Sequence, residues 1–138
     1  MRRRILSTEA RRQTLDRLDP PEWGPANYSS HVVRECHRLR RVVLEHMTPG
    51  DLRIQIGQKL SLRWLVPMAL DVVEGDPLCF ADFYAGDLLK VLLELPESYW
   101  DAHLDLEARL VGVLGTIEET PEELTEACLK FKSRQKAP

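Results

Sequence analysis

Apolar residues along this chain recur at helical spacing rather than in strict alternation, and two of the periodic stretches are apolar on nearly every side. After Ser61, the positions Leu62, Leu65, Val66, Ala69, Leu70 and Val73 form one broad stripe, and Trp64, Met68 and Val72 form a second. Residues 84–95 are dense in leucine and are stopped by Pro96. A helix that is apolar all round has to be enclosed by other helices. These two segments are therefore expected to form the buried centre of an all-α, compact single-domain bundle of about six to seven helices, with no strand.

The flanking segments supply the enclosing helices. Residues 7–18 predict a polar helix anchored by Leu15 and Leu18 and ended by Asp19-Pro20-Pro21. A connector follows, with Trp23 and Tyr28 expected over the core edge, and Ser30 can cap a helix over 31–45. Val32, Cys36, Leu39 and Val43 make the inward stripe of that helix, and Arg34, Arg38 and Arg41 fall opposite. Thr48-Pro49-Gly50-Asp51 reads as N-cap, proline at the first helical position and an acid at the third, opening a helix to Lys59. Within the central helix begun at Ser61, Pro67 predicts a kink or a break, and Gly75 fits the residue just past its end. Residues 97–117 predict a helical segment with a possible break near His103 and an inward face of Leu106, Leu110, Val113, Leu114 and Ile117. Thr120-Pro121-Glu122-Glu123 reads as a capping box opening the last helix, which turns Leu124, Ala127, Cys128 and Phe131 inward. Residues 1–6 and 133–138 are expected to fray.

A chain of 138 residues is long enough to bury roughly 70% of its unfolded surface as one domain. Its longest apolar run, Trp64–Leu70, falls far short of the ~20 residues needed to cross a bilayer. Arg2, Arg3 and Arg4 could open a signal peptide, but the polar stretch after them is no apolar h-region, so a cytoplasmic protein is expected. Cys36, Cys79 and Cys128 are odd in number and form no C-x-x-C, which predicts buried, reduced thiols. The net charge is only −3, yet residues 1–63 carry 13 Lys/Arg against 7 Asp/Glu while residues 64–138 carry 6 against 15. That asymmetry can give the folded molecule an acidic side suited to a basic partner.

Sites for chemistry are scarce. His31 and His37 differ by about 240° around a helix, so with Cys36 they do not converge on one metal ion. His46 and His103 are isolated. There is no phosphate-binding loop, nucleophile elbow or dinucleotide fingerprint. Neither catalysis, a cofactor nor a metal is expected. Arg34, Arg38 and Arg41, extended by Arg40, could follow a phosphate backbone, or could be a solvated face paired locally with acids such as Glu35. The stretch from Asp71 to Glu94 is the sharper candidate. Its six acids, Asp71, Glu74, Asp76, Asp82, Asp87 and Glu94, stand against Lys90 alone and accompany Phe80, Phe83 and Tyr84, and acids beside aromatics on a loop held by rigid helices can make a recognition surface. Alternatively the aromatics plug the core while the acids cap helices. A second acidic set, Glu118, Glu119, Glu122, Glu123 and Glu126, surrounds a helix start, where it can stabilise the dipole or touch a partner.

The block from Asp51 to Leu95, with PPEWGPANYSSHVVRECHRLRR (Pro20 to Arg41) before it, resembles the helical immunity proteins of contact-dependent growth-inhibition systems. The resemblance extends from Ile5 to Trp100 and rests on apolar, structural motifs. It implies a non-catalytic cytosolic inhibitor whose protein partner is the C-terminal toxin domain of a surface-delivered effector, most often a nuclease. No membrane is implied as a partner, a monomer is expected, and nucleic acid binding through the arginine stripe is the alternative.

Overall fold

The computed structural model describes residues 6–20 and 31–135. Trp23, Tyr28 and the expected Ser30 cap lie outside the described residues. Among the described residues nine α-helices follow one another, more than the six to seven expected: α1 (Thr8–Arg11), α2 (Leu15–Leu18), α3 (His31–Leu39), α4 (Pro49–Gly57), α5 (Leu62–Gly75), α6 (Asp87–Leu93), α7 (Glu97–Asp101), α8 (Leu104–Gly115) and α9 (Thr125–Gln135). Short 3-10 turns at Leu44–His46 and Glu122–Leu124 complete them. No sheet occurs among the described residues, so the fold is all-α as the periodicity predicts.

The centre is where the hydrophobic pattern places it. Helix α5 packs on α4, α6 and α8, and α6 packs on α4 and α9. Leu65, Val66, Leu70 and Val73 of α5 meet Leu88, Leu89 and Leu92 of α6, Leu52 and Ile56 of α4 and Leu106 and Leu110 of α8 in one continuous core. Pro67 does not divide α5. The helix runs unbroken with Pro67 buried inside it, because the missing backbone bond is offset by packing along both halves.

Elsewhere long-range contacts override local propensity. The expected helix over 7–18 is two single turns, since Gln13 and Thr14 turn their backbone outward: Leu44 N–H donates to Gln13 O at 2.9 Å and Thr14 bridges Val43. The helix expected over 31–45 ends at Leu39 for the reciprocal reason, because Arg40 O accepts from Asp16 N–H at 3.0 Å. Thr48 and Asp51 form the expected capping box, with both reciprocal bonds present. Ser61 stands at the N-cap position, so α5 starts where expected, but Ser61 lies at φ 50° and its hydroxyl donates to Asp19 at 2.8 Å rather than accepting from the helix. Helix α6 begins at Asp87 rather than Tyr84, because Gly86 at φ 90° reverses the chain and donates its N–H to Cys79 O. The predicted break near His103 separates α7 from α8.

The capping box expected at Thr120 does not form. Pro121 precedes a 3-10 turn without a side-chain cap, and Leu124 is drawn fully into the core before α9 starts. Helix α9 then continues past Lys132 to Gln135, and Arg134 ties it to Glu107 at 2.5 Å and Asp101 at 3.0 Å. Among the described residues no helix is long and apolar enough to cross a membrane.

Candidate functional site

Between α5 and α6 the chain makes a short closed loop. Phe80 bridges Ala85, and Gly86 N–H reaches Cys79 O at 3.0 Å, so residues 79–86 fold back on themselves. The loop is organised from below by Asp87, the first residue of α6. Its carboxylate accepts the amide N–H groups of Ala81 at 2.8 Å, Asp82 at 2.9 Å and Phe83 at 2.8 Å. Asp87 is only 3% exposed. Burial pushes its carboxyl up, but the amides of Phe83, Asp82, Ala81 and Tyr84 together outweigh that and hold it below the ordinary aspartate range.

Above this brace stand the aromatics. Phe80 is 64% exposed and Phe83 71%, so neither is a core plug. Tyr84 is half-buried, with Lys90 Nζ 5.8 Å from its ring centre. Phe83 is held from the side, since the Arg53 guanidinium of α4 lies 4.7 Å over its ring while also pairing with Asp82 at 2.6 Å. Gly50 of α4 leaves room for this arrangement, because a Cβ there would collide with the Asp82 carboxylate. Two neighbouring exposed phenylalanines on a braced loop are unlike the scattered apolar residues of an ordinary surface.

The acids of the candidate set separate into two groups. Asp71 and Glu74 are engaged internally: buried Arg109 donates to Glu74 through Nε at 3.1 Å and Nη2 at 2.6 Å, and to Asp71 at 2.7 Å, while Arg11 closes on Asp71 from α1. This cluster ties α5 to α8 and to the N-terminal segment. Asp87 is a loop brace. Asp76 and Asp82 are the exposed members, and Asp82 is neutralised by Arg53. The acidic block is thus much less of a free field than its residue count implies.

The arginine stripe is reduced in a similar way. Arg40, its proposed extension, is 3% exposed, with its guanidinium on Asp16, Leu15 O and Asp19 O. Arg34, Arg38 and Arg41 are exposed, but Arg38 is held by Glu35 at 3.0 Å and lies 3.8 Å from Asp51. Among the described residues no group of three or more His, Cys, Asp or Glu is arranged to hold a metal ion.

One feature is absent from any local motif. A groove of about 790 Å³ opens between the α6–α7 corner and α9, with Leu95, Pro96, Trp100 and Phe131 in its walls. Its rim carries Glu94 and Glu97 on one side and Glu122, Glu123 and Glu126 on the other. Glu94 closes the first acidic stretch and the last three belong to the second acidic set, while Glu97 belongs to neither; Glu118 and Glu119 are exposed but do not line the groove. Packing of α6 on α9 creates it, and no spacing within either segment announces it.

An all-α domain that carries its exposed aromatic surface on a rigidly held loop has the build of a protein-binding module. The chain is more particular than that: the family model of CDI immunity proteins matches residues 17–110, more than half its length, and the protein belongs to that family. No curated protein and no solved structure matches it.

Proposed function

We propose that this protein binds and neutralises the C-terminal toxin domain of a contact-dependent growth-inhibition effector by one-to-one blockade, without turnover or cofactor, and that the 76–84 loop is its principal contact. Family membership supports the inhibitory role. The observation that carries the contact is the exposure of Phe80 and Phe83 above the Asp87 brace. Rigid aromatic anchors lose little conformational freedom on binding and supply most of the affinity in interfaces of ordinary size, about 1,600 Å² in total. Asp76, Asp82 and Tyr84 form the polar rim of the contact, while Asp71, Glu74 and Asp87 serve it indirectly by fixing the helices and the loop.

A nuclease is the target that fits best. Its substrate cleft has to be basic to accept phosphates, and an acidic inhibitor can occupy or overhang that cleft through the same electrostatics. The direct test is co-purification with the C-terminal fragment of any large secreted protein found encoded immediately upstream, followed by rescue of cells expressing that fragment. Loss of rescue in F80A/F83A, with the fold retained, is the expected result. Full rescue by that variant removes the loop from the contact.

A further inference from the structure

Resting on that reading, we infer that the groove between the α6–α7 corner and α9 receives an extended lysine- or arginine-rich segment of the same toxin domain, as a second contact beside the loop. Its volume of about 790 Å³ lies within the range of roughly 300–1,000 Å³ typical of ligand clefts. Its charge is what sets the occupant. Glu94, Glu97, Glu122, Glu123 and Glu126 enter no ion pair among the described residues, and every one of them is exposed. Against them stand Lys90, Lys130 and Arg134, the last already bound to Glu107 and Asp101. The groove therefore concentrates five negative charges unpaired among the described residues, where the candidate acids of the loop region leave Asp76 outside an ion pair.

Its walls suit a chain rather than an isolated cation. Pro96, Leu95 and Phe131 can take the aliphatic stems of lysine or arginine side chains while the glutamates meet their heads. Trp100, fully buried behind the same wall, keeps an indole N–H with no acceptor among the described residues. The groove also adjoins the loop. Lys90 on its rim sits by Tyr84, and Leu124, between Glu123 and Glu126, packs so closely on Gly86 that a Cβ there would lie 2.9 Å from its Cδ1. One partner can span both.

The test uses the full chain and the toxin fragment named above, with association and dissociation rates measured at several salt concentrations. Reversing three exposed charges, E122K/E123K/E126K, is expected to slow association at least 10-fold and flatten its salt dependence. F80A/F83A should instead speed dissociation and leave the salt dependence intact. Hydrogen exchange in the complex should protect residues 93–100 and 122–131 as well as 79–86, and circular dichroism checks that each variant folds. The groove assignment is overturned if the charge-reversed protein keeps the unaltered rate and salt slope, if protection is confined to 79–86, or if the free protein is a dimer that the reversal splits. Failure of the unaltered protein to bind the fragment overturns the inhibitor reading as well. Binding that depends on Phe80 and Phe83 but ignores the glutamates removes the groove alone.

Discussion

The carboxylate of Asp87 accepts the amide N–H of Phe83 at 2.8 Å, so the most buried acid of the loop region holds its most exposed aromatic. This bond and those to Ala81 and Asp82 make loop geometry depend on one ionised group. Asparagine at position 87 keeps the size but not the charge or the second acceptor oxygen. D87N should cost about 2–3 kcal/mol in urea unfolding at pH 7, as expected for charge-assisted hydrogen bonds lost from a buried site.

The same bonds give a pH dependence of fixed sign. Because the folded carboxyl of Asp87 is held below its ordinary value, its contribution is complete above the usual aspartate range and is lost as pH falls through the lowered folded value. Unfolding curves between pH 7 and pH 2 should show the unaltered protein losing more stability on acidification than D87N. Parallel curves would contradict this.

Arg109 should be a stability residue with no direct part in binding. It is buried against Glu74 and Asp71, whose side chains keep partial access to water, so R109M leaves two carboxylates strained but not fully stranded. A loss of about 2–3 kcal/mol is expected, below the full penalty for breaking a wholly buried pair. Chemical unfolding measures it. Affinity for the toxin fragment, measured where R109M is folded, should stay within about threefold of the unaltered protein, a change of under 1 kcal/mol.

Gly86 joins the loop to the groove, and alanine there meets two obstacles. Its φ of 90° is unfavourable for any residue with a Cβ, and the added carbon would press on Leu124. G86A should lower stability by about 2–3 kcal/mol through strain and overpacking. Hydrogen exchange should show the loss centred on residues 78–87 and 122–126.

Burial raises all three thiols above their ordinary range, with Asp76 and Asp87 adding to the effect at Cys79 and Glu35 at Cys36. Cys36 and Cys128 are buried and Cys79 half-buried, all of them free. At neutral pH a disulfide reagent should modify Cys79 first and slowly, and reach Cys36 and Cys128 only on unfolding. Peptide mapping of the modified protein checks the order.

The architecture was legible because it rests on periodicity. Leu65 and Ala69, and Leu88 and Leu92, repeat at helical spacing, and all are buried. Boundaries were less legible where partners distant in sequence intervene. Thr14 and Arg40 leave their helices to meet residues 43 and 16, and nothing local to either segment marks that exchange. The acids of the candidate site could be seen in sequence but not told apart. Asp71 and Asp82 look alike along the chain, and only folding sets one on buried Arg109 and the other at the surface beside Phe83. The groove was hidden for the same reason, since Glu94 and Glu126 come together only when α6 packs on α9.

The measurement that bears most directly on the account is the affinity of F80A/F83A for the toxin fragment, set beside the unaltered protein at equal folded concentration. The exposed phenylalanines are expected to behave as anchors, so their removal should weaken binding by about 100-fold or more, at least 2.7 kcal/mol, while far-ultraviolet circular dichroism is unchanged. An affinity within a factor of two of the unaltered protein would contradict a contact built on the loop that Asp87 braces.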